Sequence, residues 1–306
     1  MRYLWVAAIS KMTFLSLQKG ESMWKESGRL EVVGGLTLPL LWAVFCSAFI
    51  VAYLPVLSGL IQSLANSDDN SHGFAIVPIA IYMLLQKRET LLNQAFKGEW
   101  SGFIVAAIAV VIYLISLKGG IQTLGSFSMV IFVWGTVVFL FGFSIFKASL
   151  FPLSILFFMI PVPAQIVAAF TIPLKLIVTK ASVWLASTAG IPIFNEGNVI
   201  SMTRCTFEVV QACSGLRSIM TLLTLGSVLA YLTLRSNLLR TILFLLAIPI
   251  AIAVNIFRVF VMIAVFHFFE INLSTGTLHT ILGVVVFALA LGLFVVAGKG
   301  LALCES

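Results

Sequence analysis

Residues 241–269 constrain this chain most. They form a run of 29 residues in which Arg258 is the one Asp, Glu, Lys or Arg side chain. An apolar run of about 18 or more residues is long enough to cross the hydrocarbon core of a bilayer as a helix. In lipid every backbone N–H and C=O must be satisfied within the chain, and a continuous apolar run, unlike an alternating one, does so as an α-helix. The rest of the sequence has the same character. Of 306 residues, 61% are hydrophobic and 9% charged, against about a quarter charged in soluble domains. A water-soluble globule, a disordered chain and a disulfide-rich secreted domain are thereby excluded.

The pattern predicts an all-α polytopic membrane protein with about eight transmembrane helices, at 36–61, 73–85, 101–117, 126–143, 150–160, 214–234, 241–269 and 279–297. Pro78 and Pro249 fall inside spans and should kink them. Three parts follow: a cytoplasmic or interfacial leader (1–35), a single transmembrane catalytic domain (36–300) and a short cytoplasmic tail (301–306). With the N-terminus inside, two thirds of the 18 Lys and Arg residues collect on the cytoplasmic side, as the positive-inside rule requires. The net charge of +7 then reads as loop residues facing anionic lipid, with no nucleic-acid partner. Asp68-Asp69 falls outside.

The long outer loop, 161–211, precedes the sixth span. Residues 164–189 are amphipathic, with Lys175 and Lys180 on a largely apolar segment that should lie in the outer interface or dip into the membrane. Glu196-Gly197-Asn198 is a turn signal between β-branched and aromatic flanks, which predicts a short hairpin.

Few side chains in this chain can do chemistry. Cys46 and Cys304 read as small hydrophobes or idle thiols, and an outer Cys205–Cys213 disulfide is permitted by spacing without being predicted. Cys213, in Val210-Gln-Ala-Cys-Ser-Gly-Leu-Arg217, stands where a polar loop gives way to an apolar helix. Free amides and the helix dipole favour a thiolate there. Arg217 follows four residues on, on the same helical face. The plain alternative is a buried small residue beside a snorkelling arginine. Arg258 lies in the outer half of its span, level with Cys213. A charged residue inside a span is a functional-site hypothesis by default, and a structural arginine paired to a carbonyl is its alternative. Asn255 shares a similar face. His279 opens the last span, and Gly283, one turn on, should let another helix pack close. His72 precedes the second span, and His267 reads as a buried helix tip.

Cys213, Arg258 and His279 thus meet at one membrane face from three helices. A thiolate nucleophile, a charge stabiliser and an imidazole acid/base make an acyl-transfer set. A zinc site from Cys213, His279 and His72 is the competing reading, but it lacks a carboxylate or second His at helical spacing. Neither a metal nor a cofactor is expected. Of the intramembrane protease motifs, H-E-x-x-H and G-x-S-x-G are both missing. A non-enzymatic transporter, or an assembly subunit of an exopolysaccharide export system, remains the alternative from another class.

Residues 210–217 resemble the ACSGLR signature of the exosortase/archaeosortase family. Asn255-Ile-Phe-Arg258 resembles its N-x-x-R motif, and His279 with Gly283 its H-x-x-x-G motif. Ser71-His72-Gly73 resembles the early S-H-G segment, and the order agrees from about residue 60 to 290. The resemblance implies a bacterial cysteine protease or transpeptidase of the cytoplasmic (inner) membrane, its active site facing the periplasm. It implies protein substrates carrying a C-terminal PEP-like motif, a transmembrane helix and a basic tail. Cys213 is then the nucleophile, Arg258 the charge stabiliser and His279 the acid/base residue, supported by Arg217, Ser214, Gly215, Asn255, His72 and Gly283. The extra soluble C-terminal domain of some bacterial relatives is expected, if needed, as a separate accessory protein.

Overall fold

The computed structural model describes residues 30–66, 70–94, 96–202, 205–208, 216–271, 273 and 276–305. The leader up to residue 29, the Asp68-Asp69 pair, and Cys213 with Ser214 and Gly215 lie outside the described residues, as does any Cys205–Cys213 bridge. The described chain is all-α apart from one small sheet, as its apolar runs require. Its contacts define two compact units.

The first unit holds the described residues up to Asn66 and those of Gly73–Ile160. Its helices are α1 (Leu30–Ala52), α2 (Leu54–Asn66), α3 (Gly73–Gln86), α4 (Arg88–Leu92), α5 (Trp100–Gly119), α6 (Gln122–Phe141) and α7 (Phe143–Ser154), followed by a 3₁₀ turn, Ile155–Met159. The span predicted at 36–61 is broken: its two helical parts meet at Tyr53 with a bend of 66°. Pro55 explains the break, since it lacks an N–H and its ring clashes with the carbonyl four residues back. The buried Tyr53 ring packs on Phe49, Tyr113 and Phe132 at that corner. Helices α5 and α6 form the tightest pair. A Cβ on Gly102 would stand 2.2 Å from the Phe139 nitrogen, and one on Gly135 would stand 2.5 Å from that of Ala106. Small residues let membrane helices approach backbone to backbone.

The second unit holds the described residues of Ser67–His72 and Pro161–Ser306. It begins with α8 (Ala164–Thr188), passes through strands β1 (Ile193–Glu196), β2 (Val199–Met202) and β3 (Cys205–Glu208), and ends with α9 (Leu216–Thr233), α10 (Asn237–Phe269) and α11 (Gly276–Leu303). The predicted hairpin is present and extends to three antiparallel strands in the order β1-β2-β3. Gly197 takes the turn with φ +62°, a value glycine adopts without strain. Leu222, Leu243, Ala247 and Phe294 fill one core among α9, α10 and α11. A second core joins Val178 and Ala186 of α8 and Ile200 of β2 to Val259 and Ile263 of α10.

Among the described residues five helices (α5, α6, α8, α10 and α11) are long and apolar enough to cross a membrane, or six if the bent pair α1–α2 is one span. Of the eight spans expected from the sequence, those at 73–85, 150–160 and 214–234 correspond to the shorter apolar helices α3, α7 with its 3₁₀ turn, and α9, while α8 is a long apolar helix outside that set. The amphipathic 164–189 segment is one unbroken helix of 25 residues, long enough to span. Lys175 and Lys180 do not forbid that, because long basic side chains carry their charge along the helix toward an interface. Helix α10 has 33 residues, about 50 Å at about 1.5 Å per residue, so it overshoots a hydrocarbon core of about 30 Å. Arg258 lies two thirds of the way along it.

Candidate active site

The site grows from the place where α10 ends and α11 begins. Helix α10 closes at Phe269, with Glu270 in the left-handed region at φ 55°. Helix α11 begins at Gly276, φ +74°. His279, in the first turn of α11, lies beside Arg258, three turns back from the end of α10. Arg258 Nη2 lies 2.9 Å from His279 Nε2 and donates to the His279 carbonyl oxygen at 3.3 Å. On the other side of the ring, Nδ1 lies 3.0 Å from the carbonyl oxygen of Leu273.

These contacts fix the imidazole's state. A backbone carbonyl can only accept, so Nδ1 carries the proton. A guanidinium can only donate, so Nε2 presents its lone pair. His279 is therefore the neutral Nδ1–H tautomer, with Nε2 as its basic atom. The Leu273 carbonyl does here what a carboxylate does in other histidine sites: it orients the ring and selects the tautomer.

Arg258 is a fixed positive charge whose hydrogen-bond partners among the described residues are the His279 ring nitrogen and carbonyl oxygen. Its Nε is buried with no hydrogen-bond partner among the described residues. A cleft of about 240 Å³, open mouth included, runs along the guanidinium between α9, α10 and α11, lined by Ser218, Ala251, Asn255, Gly283 and Ala290 among others. Asn255 is buried, 4% exposed, one helical turn from Arg258. The space that Gly283 leaves faces the Arg258 side chain of α10: a Cβ there would stand 3.1 Å from Nη2.

Arg258, His279, Asn255 and Gly283 are thus brought together. Helix α9, which follows Cys213 in sequence, brings Ser218 to the same cleft. Arg217 is the second residue of α9, and its side chain lies outside the described part, like Cys213, Ser214 and Gly215. His72 is half-buried in the turn ahead of α3. His267, expected as a buried tip, is exposed in the last turn of α10, its ring edge-on to Phe268 at 4.9 Å. Its helix continues to Phe269, and the described residues leave the ring exposed. Cys46 and Cys304 are exposed free thiols. Among the described residues no group of three His, Cys, Asp or Glu could hold a metal ion. Sequence reasoning missed two contributors, the Leu273 carbonyl and Ser218. The first is a backbone group and leaves no residue-type signal. The second is a serine among several on apolar helices, which residue type alone does not single out.

A helical membrane protein with a half-buried arginine–histidine pair between α10 and α11 is the class that fold and site define. The sequence matches the family described as transmembrane exosortase (Exosortase_EpsH) over residues 61–296. The match covers well over half of the chain and includes both Arg258 and His279, and the protein belongs to that family. No curated protein and no solved structure matches it.

Proposed function

We propose that this exosortase is a cysteine protease or transpeptidase that removes C-terminal sorting tails from exported proteins at the outer face of the bacterial inner membrane. In this reading its substrates carry a PEP-like motif, a membrane helix and a basic cluster, and the pathway serves exopolysaccharide-associated export. The supporting observation is His279 held between the Arg258 guanidinium at Nε2 and the Leu273 carbonyl at Nδ1, in a chain of this family.

The proposed chemistry runs as acyl transfer. His279 Nε2 takes the Sγ proton of Cys213. The thiolate attacks the carbonyl carbon at the end of the motif, and the oxygen becomes an oxyanion. Once Nε2 is protonated, Arg258 and His279 are two facing donors, so the guanidinium turns its N–H groups to the oxyanion. Oriented donors in a water-poor site are worth more than in bulk water. The imidazolium then gives its proton to the leaving amine nitrogen, the C–N bond breaks and the tail departs. An acceptor amine or water attacks the thioester and restores the thiol.

The test is co-expression with a tailed substrate and mass spectrometry of the product. Wild-type enzyme should yield a shortened substrate with a defined new C-terminus. Cys213→Ala and Cys213→Ser should insert into the membrane and leave the tail on. Processing by Cys213→Ala would sink the nucleophile assignment and favour a transport or assembly role.

A further inference from the structure

We propose that Gly283 is a positioning residue: it is the bed on which the Arg258 guanidinium lies flat, and a side chain there uncouples Arg258 from His279. The inference rests on the transpeptidase reading for its effect on rate, and on geometry alone for its effect on the pair. A Cβ on Gly283 would stand 3.1 Å from Nη2, 3.4 Å from Cζ and 3.6 Å from Nη1 of Arg258. Three atoms of one planar group at such similar distances mean that the plane faces the α11 backbone at this residue.

Before substrate arrives the guanidinium is held in one place. Its Nη2 is already tied to His279 Nε2 at 2.9 Å and to the His279 carbonyl at 3.3 Å. Moving off an alanine methyl by a few tenths of an ångström lengthens one or both contacts. His279 and Gly283 are four residues apart and so share a face of α11. That helix therefore supplies both the imidazole and the flat surface that aims the arginine at it.

Two other glycines in the same unit make internal controls. A Cβ on Gly226 would meet the Phe294 ring at 2.6 Å, a clash in the apolar core. A Cβ on Gly292, in α11 itself, meets nothing within 4 Å. If Gly283 served packing alone, Gly283→Ala would behave like Gly226→Ala.

The experiment uses the full chain in lipid with ring-¹⁵N histidine. Only three histidines are present, so His279 is assigned by its loss in His279→Gln. Gly283→Ala should move the His279 Nε2 resonance and lower kcat for a tailed substrate by about ten- to a hundredfold, a misplacement effect, with KM changed less than about twofold. Gly226→Ala should lower the melting temperature and leave both readouts in place, and Gly292→Ala should change none of the three. A Gly283→Ala protein with wild-type resonance or wild-type kcat overturns the proposal. Should Gly283→Ala not fold, the wild-type chain decides: solid-state NMR must show dipolar contact between Gly283 carbon and Arg258 guanidinium nitrogen, and its absence overturns the proposal. Should wild-type enzyme process no tailed substrate, the transpeptidase reading fails, and the His279 resonance still decides whether Gly283 aims the pair.

Discussion

Arg258 Nη2 and His279 Nε2 are 2.9 Å apart, and the Leu273 carbonyl on the far side of the ring makes the first the donor and the second the acceptor. An imidazole so held is a base whose lone pair is covered until the arginine moves. The two residues therefore act as one unit, and their substitutions should not be additive.

The first prediction concerns the shape of the cation. Arg258→Lys keeps the charge and loses the planar fork that reaches His279 through Nη2 while facing Gly283. Processing of a tailed substrate should fall by about 10²–10³, the cost of losing an oxyanion donor. His279→Gln should fall by a similar factor, and the double variant should be scarcely worse than either single one. Single-turnover rates on purified enzyme check this, and full additivity would show that the pair is not a unit.

The second concerns Asn255, buried one turn from Arg258 on the cleft wall. Asn255→Asp places a carboxylate at i, i+3 to the arginine, a spacing at which helical side chains meet. A charge-assisted pair forms and occupies the guanidinium. The protein should insert and fold, yet process substrate at least about tenfold more slowly, about 1.4 kcal/mol of lost transition-state stabilisation. Assay of membranes with matched enzyme levels measures it. An unchanged rate would show that Arg258 does not need its free N–H groups.

Much of this was legible in the sequence because the bilayer leaves the chain so little choice. Runs such as 101–117 and 241–269 can be nothing but helices, and the observed α5 and α10 extend them by only a few residues at their ends. The turn at Gly197 was legible because its residue types are turn-formers. What escaped is what residue types do not encode. The bend at Tyr53 turned on Pro55, inside a run that hydropathy reads as continuous. The length of α8 was hidden by its two lysines. Gly283 signals close approach without saying that the Arg258 side chain is what approaches. Arg258 and His279 stood out only because charge is so rare here, and the Leu273 carbonyl that sets the tautomer has no side-chain trace at all.

A third prediction separates packing from chemistry in the first unit. Gly135 faces the Ala106 backbone, with a would-be Cβ 2.5 Å from its nitrogen and 3.0 Å from its Cα. Backbone cannot rotate away, so Gly135→Val forces α5 and α6 apart. Overpacking of this kind costs about 1–3 kcal/mol. Thermal unfolding in detergent should shift down, while the His279 ring resonance, which reports the second unit, keeps its wild-type position.

The last prediction concerns acid. Glu305, beyond the end of α11, accepts hydrogen bonds from the backbone N–H groups of Arg235 (3.1 and 2.8 Å to its two oxygens) and Ser236 (2.6 Å), just ahead of α10. Those two backbone donors hold its carboxyl below the usual 4.5, with the Arg235 and Arg240 charges adding to them. The folded-state value is depressed, so the contact contributes stability in full above the ordinary carboxylate range. That contribution is lost as pH falls through 4.5 toward the lower folded value. The exposed position keeps the effect modest. Wild-type enzyme should therefore lose thermal stability between about pH 5 and pH 3 more steeply than Glu305→Gln, and the two should differ most above pH 5. Melting curves in one detergent across that range measure the difference. Parallel curves for the two proteins would show that the carboxylate does not tie the chain end to the start of α10.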